Sequence, residues 1–369
     1  MRPSLKSVVA ASIGGLLCAF AFAGAASAAD RVVNVFNWSD YIGEETLANF
    51  EKETGIKVVY DVFDSNEVLE TKLLAGATGY DVVVPTGTFL ARQIQAGVFQ
   101  KLDKSKLPNL QYQWPDIAER LAKYDPGNEH AVNYMWGTTG LGYNVKKIAE
   151  IMPDAPVTSL KMLFDPAIAE KFAGCGIQVL DAPDEMIPAA LAYLGKEPDS
   201  KAPEDVEAAG EVLKAIRPFI QKFNSSEYIN ALANGDICLA FGWSGDILQS
   251  RDRAAEANNG VEIAYSIPTE GALMWFDNMA IPADAPHPEE ALIFINYMMD
   301  PKVAAANSNY VFYANGSLGS QEFLDAEVKD DTAIYPTAES VKNLYTVTPW
   351  DPKAQRILTR TWTAVKTGS

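Results

Sequence analysis

At three strand-like stretches of the chain, a tryptophan lies two or three residues before an aspartate. Aromatic faces attract organic cations and carboxylates bind ammonium groups directly, so each pair could bind an amine carried on a carbon skeleton. The alternative for any one pair is a core aromatic residue beside an aspartate that caps a helix. The three pairs are Trp38 with Asp40, Trp243 with Asp246, and Trp275 with Asp277.

Each pair lies at or beside an apolar run that is typical of a strand. Ligands of open α/β sheets bind at the carboxyl ends of the strands, so the pairs are expected to meet at one cleft. Strand-like and helix-like runs alternate, which predicts an α/β fold with a mostly parallel sheet covered on both sides. We predict strands over residues 32–37, 56–63, 81–85, 176–181, 239–243, 261–268 and 275–282, and helices over 44–54, 67–75, 88–96, 185–194, 204–216, 226–233, 288–299 and from Asp351 onward.

The length of 369 residues exceeds a usual single core, so two lobes are expected. Glycine-containing segments over residues 134–144 and 263–273 are predicted to carry the chain between the lobes and to serve as hinges. We predict that lobe 1 comprises residues 29–137 and about 263–312, and that lobe 2 comprises about 138–262 and 313–369.

Residues 1–28 are predicted to be a cleaved signal peptide. Arg2 and Lys6 form a basic start, an apolar run follows, and Ala26-Ser27-Ala28 is a small-residue cleavage site. No later stretch is long and apolar enough to span a bilayer. We therefore expect a soluble protein exported to the periplasm. Its net charge of −18 argues against nucleic acid as a partner.

Cys18 falls in the predicted signal peptide, which leaves Cys175 and Cys238 in the mature chain. An exported protein meets an oxidising compartment, so a disulfide between these two cysteines is favoured over two buried free thiols. Each cysteine adjoins a predicted strand.

Signals for catalysis are weak. The histidines, His130 and His287, lack the spacing of metal ligands, and no phosphate loop, dinucleotide fingerprint or nucleophile motif is present. We therefore predict a binding protein, not an enzyme, without metal or cofactor. An exported hydrolase that uses paired carboxylates remains an alternative.

The residues around the first pair, together with several later segments, resemble a known family. Residues 37–41 (NWSDY), 50–58 (FEKETGIKV), 60–67 (YDVFDSNE), 232–243 and 311–315 (VFYAN) resemble periplasmic polyamine-binding proteins of bacterial ABC importers. The similarity runs over essentially the whole mature chain and is closest to the putrescine-binding branch. It implies a type II periplasmic binding protein fold with a ligand cleft between two lobes.

The resemblance also implies roles for individual residues. Four aromatic side chains would sandwich the methylene chain, two aspartates would bind one ammonium group, and a polar set would hold the other end, partly through water. Any single tyrosine of this set could instead be a surface residue, and Thr86 a turn residue. In that order, the residues are Trp38, Trp243, Trp275 and Tyr313; Asp246 and Asp277; and Ser39, Asp40, Thr86 and Glu185 with Tyr41 beside them.

The ligand within the polyamine class stays open. Trp275 stands where putrescine binders resemble phenylalanine and spermidine-preferring relatives more often show tryptophan, whereas Asp40 and Asp246 keep the putrescine-like pattern. The implied function is to capture putrescine or spermidine and deliver it, as a monomer, to an inner-membrane ABC permease. Alternatives are a sugar or anion receptor and a sensor subunit that docks on a membrane signalling protein.

Overall fold

The computed structural model describes residues 31–368, so the predicted signal peptide lies outside the described residues. The strands are β1 Val32–Trp38, β2 Lys57–Phe63, β3 Val82–Val83, β4 Ala131–Asn144, β5 Ile177–Val179, β6 Lys222–Phe223, β7 Leu239–Trp243, β8 Ile263–Ser266, β9 Ala272–Ala280, β10 Ala314–Asn315 and β11 Leu344–Tyr345.

Helices follow most of these strands, as the alternating sequence pattern predicts. Within residues 31–368, no helix combines the length and the apolar character that crossing a membrane would need. The helices are α1 Thr46–Thr54, α2 Asn66–Ala75, α3 Gly87–Gln95, α4 Pro115–Leu121, α5 Val145–Ile151, α6 Lys161–Phe164, α7 Pro166–Phe172, α8 Pro183–Tyr193, α9 Pro203–Ile216, α10 Tyr228–Asn234, α11 Ser244–Ala257, α12 Pro288–Met298, α13 Pro301–Val311, α14 Ala326–Lys329, α15 Ala338–Val341 and α16 Pro352–Thr367.

The last helix shows how local sequence fixes an element. The side chain of Asp351 accepts hydrogen bonds from the backbone N–H groups of Lys353 and Ala354, and Pro352 occupies the first helical position. An aspartate cap followed by proline satisfies the free N–H groups of the first turn and presets the backbone angle there. The helix start predicted at Asp351 is therefore confirmed.

The main strands form one mixed sheet in the order β2-β1-β3-β9-β4-β7-β5-β6. On one flank β1 pairs in parallel with β2 and β3, and on the other β5 pairs in parallel with β6 and β7. At the centre β9 and β4 are antiparallel to each other, and they also pair antiparallel with β3 and β7. The prediction of a mostly parallel sheet holds for the flanks and is wrong for the centre, because there the chain passes between the flanks on adjacent antiparallel strands.

Strand β4 extends into both halves of the sheet. Residues from Ala131 to Thr138 pair with β9, and residues from Thr139 to Tyr143 pair with β7. The end of β4 also pairs with β8, which precedes β9 by a short connection. The two segments predicted to cross between lobes therefore lie within or beside β4.

Two large apolar cores flank this central region. The first includes Phe50 and Phe294, and the second includes Phe164 and Trp362. The lobe boundaries themselves stay a prediction. Because Tyr313 packs in the first core, we propose that the segment 313–347 accompanies lobe 1 and only the last part of the chain accompanies lobe 2.

The disulfide favoured from the sequence is confirmed. Cys175 and Cys238 are bonded, with their Cα atoms 5.5 Å apart. Each cysteine immediately precedes a strand or lies one residue from it, and those strands are neighbours, since Ile177 of β5 pairs with Leu239 of β7. The bond therefore connects two residues that are 63 positions apart in the sequence, at the start of the parallel pair β5 and β7.

Candidate functional site

A cleft opens where the carboxyl ends of β1 and β7 meet β9. It encloses about 670 Å³, its open mouth included. Ten of the eleven ligand-binding residues named from the sequence line it, and Asp40 does not. The lining consists of Trp38, Ser39, Tyr41, Asp64, Ser65, Asn66, Glu67, Thr86, Asp181, Ala182, Asp184, Glu185, Ser225, Ser226, Ile229, Trp243, Asp246, Trp275, Asp277 and Tyr313.

Two tryptophans at strand ends form one aromatic wall of the cleft. Trp38 ends β1 and Trp243 ends β7, and their rings meet edge to face with centroids 5.6 Å apart. The indole N–H of Trp38 donates to the carbonyl oxygen of Val84 at 2.9 Å. The indole N–H of Trp243 donates to a carboxylate oxygen of Glu185 at 3.2 Å. These hydrogen bonds fix the ring orientations, so the apolar faces remain available to a ligand.

Asp246 is a buried carboxylate held by two phenols. It lies in the first turn of α11, directly after β7, and is 7% exposed. Tyr313 donates to its Oδ1 at 2.6 Å and Tyr228 to its Oδ2 at 2.7 Å. Both donors are neutral hydroxyls, so the negative charge of this carboxylate is stabilised by hydrogen bonds and left unneutralised.

Asp277 is held in the same way on β9. Thr86 donates to its Oδ1 at 2.7 Å and Tyr41 to its Oδ2 at 2.9 Å. Asn66 in turn donates to the hydroxyl oxygen of Thr86 at 2.9 Å. The resemblance assigns Thr86 and Tyr41 to the opposite end of the ligand from Asp277. That assignment of ends stays a prediction, and the hydrogen bonds attach both side chains to Asp277.

Glu185 completes the set of deeply placed acids. It lies in the first turn of α8, is 7% exposed, and accepts a hydrogen bond from the hydroxyl of Thr139 at 2.6 Å. Its other oxygen accepts the bond from Trp243 described above. Thr139 is the first β4 residue that pairs with β7, so the crossing strand positions this carboxylate.

The cleft is strongly acidic. Among the lining residues that the structure describes, none is lysine, arginine or histidine. Such a cavity repels anions and attracts cations. The seven acidic lining residues are Asp64, Glu67, Asp181, Asp184, Glu185, Asp246 and Asp277.

Burial changes the ionisation of the inner acids. It raises the pKa of Asp246 to about 6 and the pKa values of Asp277 and Glu185 to about 7. The hydrogen bonds from the hydroxyl donors oppose this rise, since they favour the charged form. For Asp184, burial and then repulsion from Glu185 raise the pKa to about 7. The cleft therefore holds carboxyls that gain or lose protons near neutral pH.

A second aromatic group closes the floor of the cleft. The rings of Trp275 and Tyr313 meet with centroids 5.4 Å apart, and Tyr41 meets Tyr313 at 5.1 Å. The indole nitrogen of Trp275 is buried without a hydrogen-bond partner. Gly137 on β4 makes room for this indole, because a Cβ there would lie 2.7 Å from its ring.

Replacing Gly245 with alanine should destabilise the protein through Tyr313. A Cβ at position 245 would lie 2.4 Å from the tyrosine ring, which is itself 2% exposed and cannot move outward freely. We expect the free energy of unfolding in urea to fall by about 1–3 kcal/mol, the range for overpacking a core. Gly174→Ala is the matched control, since a Cβ there meets nothing within 4 Å. Equal stabilities for the two variants would contradict the assigned packing.

Asp40 is the predicted site residue that lies elsewhere. Its φ of 52° is in the left-handed region, and its carboxylate accepts a hydrogen bond from Arg253 of α11 at 2.6 Å. The neighbouring Ser39 does line the cleft and donates to Asp64 at 2.5 Å. The pair of Asp40 and Arg253 thus connects the end of β1 to the helix that carries Asp246.

Some lining residues were not named from the sequence. They include the segment Asp64-Ser65-Asn66-Glu67 and the loop residues Ser225 and Ser226. The first segment follows β2 directly, so the rule that ligands bind at strand ends would have indicated it. The two serines carry no such signal, because they follow a strand of only two residues.

Comparisons with known proteins agree on one type of molecule. The family described as bacterial extracellular solute-binding protein matches residues 45–337. The chain is 50% identical over 365 residues to the putrescine-binding periplasmic protein PotF of Escherichia coli, with 98% of each chain covered. Identity and coverage are the same for the putrescine-binding periplasmic protein SpuD of Pseudomonas aeruginosa. The structure of the spermidine/putrescine ABC transporter substrate-binding protein PotD of Streptococcus pneumoniae aligns with a TM-score of 0.75 at 29% identity, covering 92% of this chain and 99% of that one.

Proposed function

Because the chain belongs to the family of bacterial extracellular solute-binding proteins, we propose that it captures a polyamine in its cleft and delivers it to an ABC permease. The two-lobed α/β fold of type II periplasmic binding proteins, expected from the resemblance, is confirmed. The observation that carries the ligand class is the lining of the cleft: tryptophan and tyrosine rings, seven acids and no basic side chain among the described residues.

We infer that the deeply placed carboxylates bind the ammonium groups and that the rings flank the methylene chain. Asp246 and Asp277 each already accept two hydrogen bonds, and an ammonium group would add the charged partner that neither has. Methylene groups lose water against Trp38 and Trp243, which provides the apolar part of the binding free energy.

A sugar or anion receptor fits the cleft less well. A sugar would find aromatic walls, but the described lining offers many hydrogen-bond acceptors and no charged donor. An anion would be repelled by the carboxylates of the lining, above all by Asp246 and Asp277, whose side-chain hydrogen-bond donors are neutral hydroxyls. We also infer that the protein binds its ligand without transforming it, since the relatives reported above carry the names of binding proteins. A steady release of altered product would instead favour a hydrolase.

The transport cycle that we propose has an open and a closed form. Ligand contacts both halves of the cleft, so it favours the closed form by its greater affinity for that form. Asp277 lies on β9, and Asp246 lies on α11, which follows β7. Because β9 and β7 are the neighbours of β4 in the sheet, an ammonium group between the two aspartates would connect elements from both sides of that strand. We infer a monomer in the periplasm that docks on the inner-membrane permease.

Calorimetric titration of the mature, ligand-stripped protein with putrescine and with spermidine tests the proposal. We expect saturable one-to-one binding of at least one of them. A folded protein that binds neither polyamine would refute the ligand class. Titration with a neutral sugar and with a dicarboxylate serves as the control for non-specific heats.

Trp275 should influence which polyamine is preferred. Its indole fills the space beside Gly137, and its buried N–H has no partner. Replacing Trp275 with phenylalanine makes the aromatic surface at the floor of the cleft smaller. It also removes the indole N–H that has no partner, and it leaves the acids in place. We expect the affinity ratio of putrescine to spermidine to rise by roughly 3- to 10-fold, corresponding to one aromatic contact. Calorimetric titration of both ligands measures the ratio, and an unchanged ratio would exclude Trp275 as a determinant.

A further inference from the structure

Asp181 differs from the other acids of the cleft in its partners. Lys366 donates to both of its carboxylate oxygens at 2.9 Å, and the indole N–H of Trp362 donates to Oδ1 at 2.9 Å. Both partners lie on the C-terminal helix α16. The backbone N–H of Asp181 is held by the hydroxyl of Ser225 at 3.1 Å. The carboxylate is thus neutralised and fixed at one wall of the cleft.

Among the residues that the structure describes, no other acid of the lining has a basic partner of this kind. The inner acids Asp246, Asp277 and Glu185 accept hydrogen bonds from hydroxyl or indole groups. Within residues 31–368, Lys366 is the one basic side chain that forms an ion pair with a carboxylate of the cleft lining. The protein therefore cancels the charge of one cleft acid and leaves the charges of the others available.

The helix that carries Lys366 is firmly positioned. Trp362 lies one helical turn before it on the same face, and its ring meets Phe223 edge to face with centroids 5.4 Å apart. Thr361 packs over Gly210 of α9, where a Cβ would lie 2.5 Å from the threonine methyl group. The side chain of Lys366 is 39% exposed and that of Asp181 is 37% exposed, so the ion pair is partly open to solvent.

We propose that Lys366 is a specificity-determining residue that disfavours polyamines with more than two charges. The inference rests on the proposed polyamine function. A diamine needs two acidic sites, and the inner acids provide them. A triamine carries a third ammonium group that could gain from a carboxylate at the cleft wall. Lys366 already forms an ion pair with that carboxylate, so a third ammonium group gains little binding free energy there.

Replacing Lys366 with methionine tests this. Methionine keeps much of the apolar stem and removes the charge, which leaves Asp181 free at the cleft wall. We expect spermidine to gain about two- to fivefold in affinity relative to putrescine, the effect of one partly exposed ion pair. The gain should shrink at high ionic strength, because salt screens an exposed charge. Calorimetric titration of the full mature chain with both polyamines gives the ratio.

Three further variants separate charge from structure. Lys366→Arg keeps the charge and should retain the wild-type ratio. Lys353→Met, at an exposed position of the same helix, should also retain it. Asp181→Asn combined with Lys366→Met should cancel the gain.

An unchanged ratio in Lys366→Met, or a gain that persists with asparagine at position 181, would overturn the inference. Equal weakening of both ligands would also overturn it, since that result indicates a structural role of the helix end. Failure of the proposed function is distinguishable from these results, because the wild-type protein would then bind neither polyamine.

Discussion

Replacing Asp246 with asparagine should cost about 2–5 kcal/mol of binding free energy for putrescine, a loss of roughly 30- to 5,000-fold in affinity. The substitution keeps the size of the side chain and one acceptor oxygen, but it removes the charge that an ammonium group would contact. Tyr228 and Tyr313 would retain at most one good acceptor between them. The ligand would then be desolvated without its ionic partner.

The folded state of this variant should not suffer in the same way. Burial raises the pKa of Asp246 to about 6, which means that desolvation disfavours the charged form. An uncharged amide removes that penalty, but one tyrosine hydroxyl loses its acceptor, so the unfolding free energy of the ligand-free variant should stay within about 1–2 kcal/mol of that of the wild type. Circular dichroism and urea denaturation of the ligand-free proteins check this.

Asp252→Asn is the matched control for calorimetry. Asp252 lies on the same helix, α11, but is exposed and is not part of the cleft lining. The Asp252→Asn variant should bind putrescine with the affinity of the wild type. If the two variants bind equally well, Asp246 does not contact the ligand and the proposed arrangement of the cleft is wrong.

The sequence predicts much of this cleft because of one topological rule. Trp38 ends β1 and Trp243 ends β7, whereas Asp277 lies inside β9, and all three strands belong to one sheet. A tryptophan and an acid at such an end therefore meet others of the same kind. The aromatic and acidic character of the site could be read before any strand order was known.

Which carboxylates are paired with a basic side chain depends on contacts between distant parts of the chain. Asp40 has the same sequence signature as Asp246, yet it pairs with Arg253, which is 213 positions away. The neutralisation of Asp181 depends on Lys366, 185 positions away. Nothing local to either aspartate indicates its partner, so the sequence alone cannot separate free carboxylates from neutralised ones.

The glycines of the central strand β4 kept it from being predicted as a strand. The glycines of residues 134–144 predict a hinge, whereas β4 is a continuous strand of 14 residues. Glycine usually weakens a strand, but it also admits close neighbours. At Gly142 a Cβ would lie 2.6 Å from the side chain of Ile247 on the helix after β7. Packing against that helix, which the local sequence does not reveal, explains the glycine.

Putrescine affinity should fall by roughly 100-fold between pH 8 and pH 5.5 if Asp246 and Asp277 must both be ionised to bind it. Burial raises their pKa values to about 6 and about 7, so both groups are mostly ionised at pH 8 and mostly protonated at pH 5.5. Binding at pH 6.5 should therefore release protons. Calorimetry in two buffers of different ionisation enthalpy measures that release.

The ligand-free protein should show the opposite trend in stability. Burial raises the pKa values of these carboxyls in the folded state above their unfolded values near 4, so the folded protein binds more protons between about pH 4 and pH 7. Its unfolding free energy therefore decreases as pH rises through that window. The increase in Tm caused by putrescine should grow over the same range, because only the ionised carboxylates bind the ammonium groups. An affinity that stays constant from pH 8 to pH 5.5 would show that the carboxyls are already ionised in the empty cleft, and burial would then have no part in how the cleft selects its cation.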